Sequence, residues 1–213
     1  MKVTGTKIYD LEETAIASGF PMQETYDDIA FALEAERMRQ CDLKKTDHYK
    51  RLLKFMGNPT SSGHCNAFTG ILVAFNVTAT VKWFHQAERY HFLQIVSSMS
   101  TMHRLKSMLQ HGTLSVNSNT DAAVVDILRT KHDVNDYLSF EELVYSAPMG
   151  LELTARITTN YLQLMTIFNQ RKNHKLKEWR TFCHWIWCLP YMREFLEHSE
   201  ETIPEWCRNG VCE

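Results

Sequence analysis

The period of the apolar positions changes several times along the chain, and each change marks an element. Residues 71–84, "ILVAFNVTATVKWF", alternate most regularly. Ile71, Val73, Phe75, Val77, Ala79 and Val81 are apolar, and the intervening positions turn polar at Asn76, Thr78 and Thr80. A period of two with one apolar face predicts a half-buried strand. The next stretch, "WFHQAERYHFL", changes to helical spacing. "VSSMST" interrupts it, because clustered serines compete for backbone hydrogen bonds. "MHRLKSMLQ" resumes a helix, "HGTLSVNSNTD" is a polar loop and "DAAVVDILRTKHD" a short helix. Upstream, "KVTGTKIYD" has strand character. Asp27–Arg39 reads as a helix with Ile29, Leu33 and Met38 as its inner stripe, and the turn formers of Gly57–Asn66 read as a loop. Downstream, Pro148 and Gly150 precede a predicted long helix over Glu152–Asn173, and "EWRTFCHWIWCLPYMREFLEH" supplies the last helices, broken near Pro190. The pattern predicts a mixed α+β chain with helices in the majority, read as one domain over residues 1–213 with a loosely held tail from about residue 200.

Two polar sets interrupt this pattern. On the predicted long helix, Asn160 and Arg171 are eleven residues apart, which places them within about 20° of one direction and roughly 16 Å apart along the axis. Gln163 and Ile167 lie between them, beside an apolar stripe of Tyr161, Leu164, Met165 and Phe168. An arginine fork there suits a phosphate or a pyrimidine carbonyl edge. A surface helix with its polar residues in water has the same spacing. The second set is Gln86, Arg89 and Tyr90 followed by the serine-rich turn, where side chains and free backbone N–H groups can cradle an anion or a base. Ordinary serine caps at a helix end have the same appearance.

Composition narrows the function. Charged residues make up 23% and the formal net charge is −2, so there is no general electrostatic case for nucleic acid or an anionic membrane. No apolar run reaches the roughly 18 residues of a membrane span, and "MKVTGTKIYDLEE" is not a signal peptide. Six cysteines without a zinc spacing read as reduced thiols in a cytoplasmic protein, with Cys207 and Cys212 in a loose tail. His64, His85, His91 and His103 do not have the spacing of a metal-ligand set.

Taken in order, the polar sets resemble the flavin-dependent thymidylate synthases (ThyX). Gly63-His64 precedes the main strand, and Gln86 and Arg89 match the family's Gln-x-x-Arg. "RYH" at 89–91 followed by "SSMS" at 97–100 is similar to its R-H-R and serine loop. Asn160 and Arg171 match its late asparagine and arginine, and "KEWR" at 177–180 is similar to the following element. The likeness runs from Gly63 to Arg180. Tyr90 and His91 stand where the family has His and Arg, and Ser98 where it has a carboxylate. Met102 stands at an arginine position, with Arg104 two residues late, and Leu162 and Thr166 replace a second arginine and asparagine.

The resemblance implies an antiparallel sheet with flanking helices, and a homotetramer that methylates dUMP reductively at C5, with methylenetetrahydrofolate, NADPH and FAD. It implies Gln86, Arg89, Ser98, Ser100 and Arg171 as substrate contacts, with Arg89, Arg171 and Ser100 at the chemistry. His64, Arg89, Tyr90, His91 and Asn160 are then flavin contacts. Alternatives are another C5 modification such as hydroxymethylation, as in branches used by small phage-like genomes, or a nucleotide-binding protein on the same fold without catalysis.

Overall fold

The computed structural model describes residues 1–58, 63–133, 139–199 and 203–209. Four strands, β1 (Lys2–Tyr9), β2 (Leu72–Thr80), β3 (Gln94–Ser98) and β4 (Glu152–Asn160), form one antiparallel sheet in the order β1-β2-β4-β3. The described helices are α1 (Leu11–Ala17), α2 (Asp28–Arg39), α3 (Asp47–Met56), α4 (Val81–Ala87), α5 (Thr101–Gln110), α6 (Ala122–Asp133), α7 (Phe140–Tyr145), α8 (Tyr161–Arg171), α9 (Lys177–Trp187), α10 (Met192–His198) and α11 (Glu205–Asn209). The chain divides into two compact units, residues 1–5 with 75–157 and residues 6–74 with 158–213.

In the first unit β2 runs antiparallel to β4. The Val81 N–H donates to the Leu151 carbonyl at 2.9 Å, and the Thr78 and Thr154 hydroxyls meet at 2.8 Å. Arg156 lies opposite Asn76, and its Nη1 donates to Asn76 Oδ1 and, across to β1, to the Gly5 carbonyl. The alternation of β2 therefore has the expected sense: Phe75, Val77 and Ala79 are buried, and Asn76 and Thr78 line the more open face. A helical core of Leu105, Met108 and Leu109 from α5, Val125 and Leu128 from α6, and Leu143 from α7 completes this unit. In the second unit, α8 buries Tyr161, Leu164, Ile167 and Phe168, and α9 buries Trp179, Phe182 and Ile186. Phe168 stacks on Trp187 at 5.8 Å, and Phe195 of α10 meets Phe68 edge-on at 5.0 Å.

Several expectations need correction. Glu152–Asn173 is not one helix: β4 runs to Asn160 and α8 begins at Tyr161. The β-branched run Ile157-Thr158-Thr159 prefers extended backbone, and pairing with β2 satisfies its peptide groups. The "VSSMST" interruption contains a strand rather than a turn. β3 lies beside β4, and the Met99 N–H donates to the Thr154 carbonyl. On α2, Asp27 caps the helix through Ile29 and Ala30 as a cap should, but Ile29 and Leu33 are 73% and 67% exposed. Met38 is buried as expected, with Ala35 rather than Ile29 and Leu33 as its buried companion on this helix.

Residues 203–209 are not loose. Trp206 of α11 packs 6.5 Å from Phe168 and 6.2 Å from His184, and Cys207 is buried. Cys41, Cys65, Cys183 and Cys207 are free, whereas Cys188 carries a disulfide, which overturns the reading of six reduced thiols. Residues 59–62 of the predicted loop and 200–202 and 210–213 of the tail, with Cys212, lie outside the described residues.

Candidate functional site

In the first unit the candidate residues follow one stretch of chain. Thr80 ends β2, and its Oγ1 accepts from the Trp83 N–H at 3.2 Å, so the strand passes into α4 with no loop between them. α4 stops at Ala87, and two tight turns follow, with Tyr90 N–H donating to Ala87 O and Leu93 N–H to Tyr90 O, both at 3.0 Å. These turns leave Arg89 and His91 exposed and draw Tyr90 inward, where it is only 8% exposed. The Tyr90 ring therefore has little surface for the cofactor contact expected of it. His91 stands edge-on to Phe92 with ring centroids 4.9 Å apart. β3 then leads to Ser98, and Ser100 caps α5 by accepting from the His103 N–H at 3.2 Å. The Ser100 oxygen is thus engaged, and its O–H keeps the capacity to donate.

Between these elements lies a cleft of about 580 Å3. Phe84, Ile95 and Leu153 form apolar walls, and His85, Glu88 and Ser98 are among the polar groups. Of the residues expected at a site in this unit, Ser98 lines the cleft. Gln86, Arg89, His91 and Ser100 lie on the same elements without lining it. The sequence reading had passed over Glu88. Its only signal was a spacing of three from His85, which puts the two on one face at the end of a helix.

In the second unit Asn160 is the N-cap of α8. It is 8% exposed, and its Oδ1 accepts from the Gln163 N–H at 2.8 Å. Its backbone is extended, with φ −133° and ψ 168°, so Asn160 and Arg171 do not share a helical stripe: one precedes the helix and the other is its last residue. Asn160 retains an amide Nδ2 that can donate.

At the far end of α8 the guanidinium of Arg171 lies over the Trp179 ring at 4.9 Å. Arg180 donates to the carbonyls of His174 at 2.7 Å and Lys175 at 3.0 Å. His174 stands edge-on to the same Trp179 at 6.3 Å. Burial, followed by the charges of Arg171 and Arg180, holds the His174 imidazole below its ordinary pKa of 6.5. Burial is the larger cause, and the two guanidinium groups add to it. An anion there is favoured by these cations and opposed by the negative end of the helix dipole.

His64 begins a 3-10 turn after Gly63, whose φ of 76° is in the left-handed region. Among the described residues, a Cβ added at Gly63 would have Asn66 Nδ2 at 3.9 Å. His64 is exposed, lies 5.9 Å from the Phe55 ring, and lines an open cleft of about 390 Å3 with Phe55, Gly63 and Asn66. Among the described residues, no three His, Cys, Asp or Glu side chains are grouped to hold a metal ion, and no helix is long and apolar enough to cross a membrane.

No family model matches the chain, and no curated protein matches it. Solved structures do. Thymidylate synthase X from Helicobacter pylori, crystallised with FAD and dUMP, superposes with a TM-score of 0.69 at 14% identity over 94% of this chain and all of that one. A second crystal structure of the same enzyme, also with FAD and dUMP, has the same score and identity and covers 96% of this chain and 100% of that one. The UMP/dUMP methylase PolB from Streptomyces cacaoi, bound to 5-Br dUMP, has a TM-score of 0.58 at 12% identity over 95% and 96% of the two chains. The chain has the fold of the flavin-dependent thymidylate synthases.

Proposed function

We propose that the chain is an enzyme acting on a pyrimidine nucleoside monophosphate, and that its reaction is the reductive C5 methylation of dUMP with methylenetetrahydrofolate, NADPH and FAD. The observation that carries this reading is the cationic end of α8. Arg171 lies over the Trp179 ring, His174 stands edge-on to it, and Arg180 donates to the His174 carbonyl; guanidinium forks here suit a phosphate or a planar base edge. In the other unit, Gln86 of α4, Arg89 of the turn after it, Ser98 of β3 and Ser100 at the start of α5 follow one another along the chain and carry groups that can hydrogen-bond a nucleotide. The resemblance of the ordered motifs and the fold likeness over nearly the whole chain support assigning both sets to one reaction.

The residues present fit a flavin in part. The cleft that Gly63, the exposed His64 and Phe55 line suits one face of a planar ring system. Asn160 keeps an Nδ2 donor for a ring carbonyl, although its Oδ1 belongs to the helix. Arg89 and His91 are exposed, and Tyr90 is not. When bound, FAD supplies the hydride chemistry. The work of this chain is to hold the nucleotide with Arg171 and Arg89 and to polarise its carbonyl oxygens so that C5 becomes nucleophilic. Ser100 donates beside the substrate. Assembly as a homotetramer in the cytoplasm is part of the same proposal.

Two measurements test it. Purified protein should carry, or take up on titration, a chromophore absorbing near about 450 nm. Calorimetry should show dUMP binding that Arg171→Lys weakens by roughly 1–3 kcal/mol, because the charge is kept and the planar fork lost. Folded protein that binds dUMP and no FAD leaves the non-catalytic nucleotide-binding reading, which the buried Tyr90 and the serine at position 98 favour. Equal dUMP affinities for the wild type and Arg171→Lys remove Arg171 from the site.

A further inference from the structure

A separate cavity in the second unit is unlike the regions above. It measures about 520 Å3 and lies between α1, the chain at residues 20–27, α2 and His48. Phe20, Tyr26 and Phe31 line it as an aromatic triad, with ring centroids 5.5, 5.8 and 6.0 Å apart pairwise. Glu24, Asp27 and Glu34 line it as well, and no Lys or Arg does.

The three carboxylates have different surroundings. Glu34 is gripped by Arg37 through two hydrogen bonds of 2.8 and 2.6 Å and meets His48 Nε2 at 3.2 Å. Those partners hold the Glu34 carboxyl below the usual carboxylate range, with the Arg37 hydrogen bond the largest cause. Asp27 Oδ1 accepts the Ile29 and Ala30 N–H groups and offsets the positive end of α2. Glu24 has no hydrogen-bond or ion-pair partner among the described residues, and it is an exposed residue of the lining. Tyr26 and Phe20 are 59% and 40% exposed, so their rings are open to a ligand.

Aromatic faces carry negative quadrupoles, and carboxylates beside them add negative charge. Together they select a cation that is partly apolar, because the rings desolvate its carbon chain while the oxygens answer its charge. An anion finds no Lys or Arg among the described lining residues, and a neutral apolar ligand makes no use of Glu24. We propose that this cavity binds an alkylammonium group, with Phe20, Tyr26 and Phe31 against the carbon chain and Glu24 at the charge. The group belongs either to a free amine or to a lysine side chain of another protein. The proposal goes beyond the nucleotide reading and does not depend on it.

The test uses the full chain and n-butylammonium as probe, followed by NMR of the aromatic side chains. Saturable shifts of the Phe20, Tyr26 and Phe31 rings are expected. n-Butanol, which has the same carbon chain without the charge, should bind at least about threefold more weakly, the lower range of a cation–π contact at an exposed site. Glu24→Gln and Tyr26→Ala change exposed residues, so the fold is kept, and each should weaken the butylammonium response by a similar factor. Spermidine and Nα-acetyl-lysine amide then distinguish the sources: preference for the first identifies a free amine, for the second a protein side chain. Equal binding of butanol and butylammonium, no saturable shift in folded protein, or unchanged affinity in both variants overturns the proposal. Glu24→Gln leaves dUMP calorimetry as in the wild type, so failure here and failure of the nucleotide reading are distinguishable.

Discussion

Two places in this chain make the same move with different consequences. At Thr80 the strand β2 becomes α4, and at Asn160 the strand β4 becomes α8, in both cases with no intervening loop. Each junction residue is extended, is buried, and accepts an N–H from the residue three further on. The helix after Thr80 runs seven residues and ends in turns that expose Arg89 and His91. The helix after Asn160 runs eleven and is buried at Tyr161, Gln163, Leu164, Met165, Ile167 and Phe168. The lesson is a division of labour. The first junction delivers side chains to a surface soon after the cap. The second builds core first and carries its half-buried arginine, Arg171, only at the far end.

The largest effects should fall on the second junction. Tyr161, its first helical residue, is fully buried, and its hydroxyl donates to the Pro190 carbonyl at 2.9 Å. Tyr161→Ala should cost about 3–5 kcal/mol in urea unfolding, because it leaves a cavity as well as an unanswered carbonyl. Val81, the equivalent residue of the first junction, is only partly buried, and Val81→Ala should cost about 1 kcal/mol. Equal losses would mean that the two helices carry equal weight and that the contrast is false.

The same pair shows what was legible in the sequence. β2 was readable because its apolar positions alternate without a break from Ile71 to Val81 and its outer positions turn polar. In β4 the inward positions are Leu153, Ala155, Ile157 and Thr159, which weaken toward the junction. The next apolar residues, Tyr161, Leu164, Met165 and Phe168, then extend a helical period backwards by accident. The β-branched run at 157–159 was the available counter-signal, and the asparagine at its end was a cap written in the sequence. Misplacing that boundary also misplaced Asn160, from a helix face to the helix start. α2 was half legible: the helix and buried Met38 were read correctly, but Ile29 and Leu33 are exposed, because the contact that decides orientation is long-range and the small Ala35 shares it with Met38. The cavity at residues 20–34 and the cationic ring about Trp179 depend on turns and packing that no local period records. The ordered motifs from Gly63 to Arg180 carried the fold correctly, because their order along the chain survives local misreading.

The caps come next in size. Asn160→Ala and Thr80→Ala each remove an acceptor from a helix start, at a cost of about 0.5–2 kcal/mol, with Asn160 the larger because its bond is 2.8 Å against 3.2 Å. Asn160→Asp keeps the acceptor and should leave urea stability within about 0.5 kcal/mol of the wild type, since a carboxylate also suits a helix N-terminus. It removes the Nδ2 donor, so flavin uptake should fall while stability holds. Unchanged flavin uptake in Asn160→Asp would leave Asn160 its role as a helix cap without a flavin contact.

The smallest effect concerns the far end of α8 and has a definite sign. His174 has its pKa lowered from 6.5, first by burial and then by Arg171 and Arg180. In the unfolded chain the imidazole takes a proton as pH falls through about 6.5, whereas in the folded chain it resists until a lower pH. The unfolded state therefore binds more protons in that window. The His174 contribution to stability is fully present above pH 6.5 and is lost as pH falls toward the folded-state value. An anion held by Arg171 and Arg180 reverses the local field, and protonated His174 then joins in holding it. NMR titration of His174 should show its pKa rising when dUMP is added, and dUMP affinity should rise as pH falls through the same window. No comparable movement is expected if dUMP binds away from this end of the helix. A His174 titration unchanged by saturating dUMP would therefore separate the cations of α8 from the nucleotide and leave the Arg89 turn as the surface that binds it.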